Sequence, residues 1–363
     1  FIGSSFAYIA LLSSLNSEVG APGVAMAVVS VGVIYCLIAF LIGLAGSSWI
    51  DKILPPVVIG PVIIIIGLGL APVAINNSGF GVETFNVTSI IIAMTALLTT
   101  TFALLRGNKQ MKMIPIIFGL IAGYVMSIIL GVVDLSTVFE GGLFNVPNFQ
   151  IPGISYDFKF DMGILLSVIP LVLVTLSEHI GDHTVSSTMM DKNFLKDPGL
   201  KKTLLGDGLA TLTAGLLGGP VNTTYAENTS VIMLTRVASV YVIKLAAVFA
   251  MCIAFISPIV AIINSIPTPV MGGISIVLFG MIAQNGIRIL VNSGLDFTES
   301  RNMILLSVIL VFGLGDAFVS FTMFGVEFVF AKMALAAVVG IVLHLILPDK
   351  ELAYGKNHKH IES

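Results

Sequence analysis

"GGPVNTTYAENTSVIMLTR", residues 218–236, lies in one of the most hydrophobic regions of a very hydrophobic chain, yet its first half is nearly all polar. The chain is 56% apolar and 10% charged, with a mean hydropathy of +1.05, whereas soluble domains carry about 25% charged residues. Composition therefore places it in a bilayer. Apolar stretches long enough to cross, roughly 20 residues each, recur about ten times, among them 22–46, 56–76, 88–105, 114–133, 162–177, 238–259, 269–287, 303–320 and 327–348. Irregular chain in hydrocarbon is tolerated only where protein or a water-filled cavity covers it. Gly218, Gly219 and Pro220 stop a helix, Thr223 and Thr224 favour extended chain, and helix resumes near Asn228 and runs to Arg236. A helix broken at mid-membrane is the expected result.

The stretch has a partner earlier in the chain. "SSFAY" (4–8) matches "TTYAE" (223–227), "YCLIAF" (35–40) matches "MCIAF" (251–255), and "LPPVVIG" (54–60) matches "PTPVMGG" (267–273). The offset is roughly 215 residues each time, and an odd number of spans between copies makes the second inverted. The expected fold is an all-α polytopic membrane protein of seven-plus-seven inverted-repeat design, with about twelve of fourteen segments in this sequence and two expected ahead of Phe1. "GSSFAYIALLSSL" (3–15) is the symmetry mate of the broken helix, and the two extended pieces are expected to pair as a short antiparallel ribbon.

Basic residues fall in particular connections: Lys52; Arg106, Lys109 and Lys112; Lys192, Lys196, Lys201 and Lys202; Arg288 and Arg301; Lys350, Lys356 and Lys359. The connections between these clusters hold only Lys159, so the basic set and the tail 349–363 are read as cytoplasmic. Cys36 and Cys252 sit in apolar runs and offer no disulfide framework, and no basic run suggests nucleic acid.

An intramembrane carboxylate is costly, about 2.5–3.5 kcal/mol on the lenient insertion scale, and marks function. Glu227 is one, and Glu178 in "TLSEHIGDH" is another, with Asp182 on the same helix face by i, i+4 spacing. The aromatic rings of Phe6 and Tyr225 flank the breaks and are placed to line or stack on a flat ligand. His179 and His183 lack a third ligand, so packing or hydrogen bonding near the site is preferred over metal. Asp207 lies close enough to the cytoplasmic end of its segment for solvation to explain it as well as function does, and Lys244 and Lys332 are read mainly as packing or snorkelling residues, with neutralisation of a carboxylate the alternative. "GLGD" (313–316) with Asp157 in "YD" matches an intramembrane aspartyl protease only superficially, since Asp157 falls in an external connection.

Glu227, Asn228, Thr235 and Arg236 fit the signature segment of the nucleobase–ascorbate transporters, which this sequence resembles, with Ser230 where the pattern has Gly. "SEHIGDH" and "GSSFAYI" resemble the same family's eighth and third segments, and bacterial uracil permeases are the branch it most resembles. The resemblance implies a proton-coupled importer, not an enzyme, with a core domain (1–46 and 161–262) moving elevator-fashion against a gate domain (47–135 and 263–348). It implies that Glu178 and Glu227 bind the nucleobase and that main-chain amides of Phe6, Ala226 and Glu227 complete the site. It implies Asp182, then Glu178, as the proton-coupling group, a homodimer, a bacterial inner membrane location, and no cofactor or metal. Uracil permeases of the best-known type carry His at the position of Asp182, and purine-transporting relatives commonly carry Asp. Uracil is the first expectation, xanthine or urate the alternative, and an anion transporter of the same fold the outlying one.

Overall fold

The structure is a computed structural model that describes residues 2–81, 86–133, 142–158, 160–225, 228, 231, 232, 235, 237–315, 317–323 and 326–348. Strand β1 (Ile2–Ser4) leads through a single 3-10 turn (Phe6–Tyr8) into α1 (Ile9–Glu18), followed by α2 (Ala21–Ala45), α3 (Ser48–Ile53), α4 (Pro56–Gly69) and α5 (Ala71–Asn77). Then come α6 (Val87–Leu105), α7 (Lys109–Met113), α8 (Pro115–Ile129), α9 (Met162–Met190) and α10 (Leu200–Leu217). After β2 (Asn222–Thr224) follow α11 (Val240–Ile253), α12 (Ser257–Asn264), α13 (Thr268–Asn292), α14 (Ser300–Leu314), β3 (Phe318–Met323), β4 (Val326–Ala331) and α15 (Lys332–Ile346). The helices beginning at Pro56, Val87 and Pro115 recur at Thr268, Ser300 and Lys332, about 215 residues on, which is the spacing of the sequence repeat.

Helix boundaries follow local chemistry. α4, α8 and α13 carry Pro in their first turn, where its missing N–H costs nothing. Asn86, Asn108 and Asp161 cap the next helices by accepting from backbone N–H groups, Asp161 at 2.7 Å from Gly163 and 3.1 Å from Ile164.

Among the described residues, five helices are long and apolar enough to cross a membrane, and four shorter ones are also apolar. Their outward faces carry exposed apolar side chains such as Leu37, Phe40 and Leu44 on α2, and α11 buries none of its residues. Two packing groups stand out. In one, α2 runs against α10 and α9; in the other, α4 packs on α13 and α14, α6 on α8 and α13, and α14 on α15. α9 touches α4, α13 and α15, so it forms the seam between them.

Close helix approach is achieved with glycine, as is usual where apolar burial gives no extra drive. A Cβ on Gly32 of α2 would lie 2.6 Å from the Leu212 backbone N of α10, and one on Gly208 would meet Tyr35 Cβ at 3.0 Å.

One expectation fails. Segments read as apolar helix at 303–320 and 327–348 contain an antiparallel hairpin, β3–β4, in register from Phe318↔Ala331 to Met323↔Val326. The stretches "FVSFTM" and "VEFVFA" are rich in β-branched and aromatic residues, whose preference for extended chain wins over mere apolarity. The C-terminal tail 349–363 lies outside the described residues.

Candidate functional site

α10 ends at Leu217, and Gly218 follows in the left-handed region (φ +85°), where a side chain would be strained. The chain then runs extended into β2, which pairs antiparallel with β1: Ile2↔Thr224, Gly3↔Thr223, Ser4↔Asn222. Ser5 N–H extends this ribbon by donating to Val221 O at 2.8 Å. Each broken segment thus satisfies its backbone through the other, as the apolar surroundings require. Beyond the break, Asn228, Val231, Ile232 and Thr235 are helical, with the Thr235 hydroxyl donating to Val231 O at 2.9 Å.

The repeat mates Phe6 and Tyr225 meet across the ribbon, rings nearly parallel (9°) with centroids 6.2 Å apart. Tyr225 is held against β1 at its hydroxyl end. Its hydroxyl donates to Ser4 O at 2.6 Å, and its ring occupies the space that a Cβ on Gly3 would need, 2.9 Å away. Phe6 also meets Phe279 of α13 edge-on at 5.5 Å, joining the ribbon to the second packing group.

α9 brings the carboxylates. Glu178 and Asp182 are both buried, and Thr223 Oγ1 donates to Glu178 Oε2 at 2.9 Å, a bond that orients the carboxyl group. Phe6, Glu178, Asp182, Thr224 and Tyr225 line one narrow cleft, closed from α4 and α13 by Ile63, Ile282 and Asn285. The cleft holds about 10 Å³, close to the room for one water and far below a ligand pocket. It adjoins a vestibule of about 440 Å³ that shares Asp182, Thr224 and Tyr225 and extends past His183 to Lys192 and Phe194.

The adjoining face of α9 corrects one reading. Asp207 is not solvated: it is 6% exposed and accepts from His179 Nδ1 at 2.7 Å. The segment end that was to hydrate it begins two turns earlier at Leu200, and α9 covers the side chain. His179 Nε2 lies 3.0 Å from Thr203 Oγ1, and its ring stacks on His183 with centroids 4.2 Å apart. His183 Nδ1 donates to His179 O at 2.8 Å. These histidines pack on each other and bond to Asp207, Thr203 and the α9 backbone, and no cluster of three metal-ligating side chains occurs among the described residues. Tyr35 of α2 donates to Thr175 on the same helix, so α9 is fastened to both α2 and α10.

Of the expected site residues, Phe6, Glu178, Asp182 and Tyr225 meet at one cleft. Ala226, Glu227 and Arg236 lie outside the described residues. Ile63, Ile282, Phe279 and Asn285 were not anticipated. Asn285 had a signal, an amide inside the apolar run 269–287; the apolar three are indistinguishable from packing until α4 and α13 are placed.

Known proteins bear on this arrangement. A family model described as "Permease family" matches residues 1–321. The uracil permease of Bacillus caldolyticus is 42% identical, the match covering 97% of this chain and 81% of the relative. That of Bacillus subtilis (strain 168) is also 42% identical, over 99% and 84%, and that of Escherichia coli (strain K12) is 37% identical, over 95% and 79%. Among solved structures, the transmembrane domain of a cyanobacterium bicarbonate transporter, BicA, superposes with a TM-score of 0.52 at 14% identity, covering 93% of this chain and 80% of that one. That likeness speaks for the fold alone. With apolar spanning helices, a carboxylate-lined cleft at a paired helix break and these relatives, the chain belongs to the permease family and is an integral membrane protein with a transporter fold.

Proposed function

We propose that this permease imports uracil by proton symport, with a core domain (1–46 and 161–262) moving against a gate domain (47–135 and 263–348). The observation that carries the reading is the pair Glu178 and Asp182 facing one cleft beside Phe6 and Tyr225 at the ribbon. Ionised carboxylates only accept hydrogen bonds and so suit the ring N–H groups of a flat, neutral base, while the aromatic rings suit its faces. The relatives named uracil permeases point to the same substrate. The two packing groups joined at α9 support the core-and-gate division. An anion such as bicarbonate would meet two carboxylates, which argues against the anion-transporter reading.

The vestibule opens toward Lys192, on the side where basic residues gather, which supports an inward-facing arrangement with the cleft shut. Glu227 is read as the second base-binding carboxylate, with main-chain amides of Phe6, Ala226 and Glu227, and the tail 349–363 as cytoplasmic in a bacterial inner membrane. A homodimer through the gate domain belongs to the same reading. Xanthine or urate is the second reading, favoured by one residue: Asp182 stands where uracil permeases of the best-known type carry His.

Competition settles the substrate. Labelled uracil bound to the purified protein should be displaced by uracil and not by xanthine, urate or bicarbonate; displacement by xanthine at lower concentration than uracil selects the purine reading. In liposomes, an uncoupler should abolish uptake at constant sodium, and Asp182→Asn should bind uracil yet fail to accumulate it. Uptake that needs sodium and ignores the uncoupler would refute proton coupling.

A further inference from the structure

Buried polar groups in native proteins are nearly always paired, so an exception needs a reason. The hydroxyls of Ser5 and Thr224 are buried, and neither has a hydrogen-bond partner among the described residues. They are repeat mates in "SSFAY" and "TTYAE", one at each strand end of the ribbon. Thr224 borders both the cleft and the vestibule. Its neighbour Thr223 is satisfied by Glu178, so the strand itself does not prevent a hydroxyl here from finding a partner.

We propose that Thr224 is a substrate-contacting, specificity-determining residue whose hydroxyl is unpaired in the closed cleft and donates to a ring carbonyl when a base enters. This rests on the nucleobase reading above. Valine would fill the same volume without leaving a buried hydroxyl unpaired, so the hydroxyl is useful in another state of the site. Its chemistry complements what is already there. Glu178 and Asp182 as carboxylates accept only, and the Tyr225 hydroxyl is engaged on Ser4 O. A ring N–H can be met by a carboxylate, and the carbonyl beside it needs a donor: Thr224 supplies one at the same cleft wall, in addition to the Asn285 amide from α13 and the main-chain amides of the proposed site. The set acceptor-plus-donor fits the N–H/C=O edge of a lactam base. An edge with a ring nitrogen acceptor beside an exocyclic amine presents the reverse order.

The experiment compares wild type, Thr224→Val and Thr224→Ser by thermal unfolding without ligand and by uracil binding calorimetry. Thr224→Val should raise the ligand-free unfolding temperature, because an unpaired hydroxyl is removed, and should weaken uracil binding about three- to tenfold, the worth of one neutral hydrogen bond. Thr224→Ser should keep affinity within about twofold of wild type. Unchanged affinity in Thr224→Val overturns the proposal. So does a fall in ligand-free stability, or failure of that variant to fold, since either means that the hydroxyl is already paired, for instance by an ordered water. If wild type itself binds no uracil, the functional reading fails first and is identified as the cause.

Discussion

Replacing His179 by Phe should destabilise the protein far more than the loss of one contact suggests. Phe keeps the ring volume and its stacking on His183, but it removes the donor 2.7 Å from Asp207 Oδ2. Asp207 is then a carboxylate 6% exposed with its donor gone. Removing the partner of a buried, hydrogen-bonded carboxylate costs up to about 3–5 kcal/mol, whereas replacing both partners by apolar groups of similar volume is often neutral. Thr203 falls back on its bond to Leu200 O at 3.2 Å, so little is orphaned on that side. His179→Phe should therefore lower the unfolding temperature in detergent by on the order of 5–10 °C, at about 2 °C per kcal/mol for a chain this large. Asp207→Leu should cost less, because no buried carboxylate is left without its donor and His179 keeps its contact with Thr203. The double variant should recover most of the loss, giving a coupling energy of about 2 kcal/mol or more in the mutant cycle. Equal stability of His179→Phe and wild type, or a double variant no better than His179→Phe, would refute the idea that the pair is a buried, mutually dependent unit.

Glu178→Gln should weaken uracil binding about ten- to hundredfold by calorimetry, the worth of a charge-assisted bond to a neutral ligand, with folding preserved because Thr223 can still donate to the amide oxygen. Gly32→Val should reduce the yield of monodisperse protein sharply, as its Cβ alone would press within 2.6 Å of the α10 backbone; size-exclusion profiles would read this. In the connection between α13 and α14, Thr298 donates through both N–H and hydroxyl to Asp296 Oδ1, which holds that carboxyl below its ordinary 3.8. A depressed carboxyl favours the folded loop above the ordinary value and loses that contribution as pH falls through the folded one. Thr298→Ala should move the infrared carboxylate titration of Asp296 upward toward 3.8, and an unmoved titration would deny the hydroxyl its role.

The ribbon was legible because several local signals agree: a Gly-Gly-Pro stop, a β-branched pair, and a mate with the same pattern at the repeat distance. Glu178 and Asp182 were legible for a different reason, since a carboxylate in an apolar run is costly and i, i+4 spacing fixes a shared face. What failed to show depends on tertiary placement. His179 finds Asp207 twenty-eight positions away on the next helix, and nothing in "LGDGLATL" tells a capped carboxylate from a hydrated one. Ile63 and Ile282 reach the cleft only because α4 and α13 close over it, and Phe279 meets the Phe6 ring through the same packing. The hairpin at 318–331 was hidden by composition: a short apolar run satisfies both helix and strand, and only the β-branched and aromatic content tips it.

The pairing of residues 2–4 with 222–224 also bears on how the chain is made. Some 220 residues are synthesised between the two strands, which at ribosomal rates of 5–20 residues per second takes about 10–45 s. During that interval β1 is without the partner that satisfies its amides and carbonyls, and lipid cannot replace it. The first half of the molecule must therefore be sheltered at a wet or proteinaceous boundary, or inserted shallowly, until β2 arrives. Arrival of β2 is then the event that satisfies the backbone of β1.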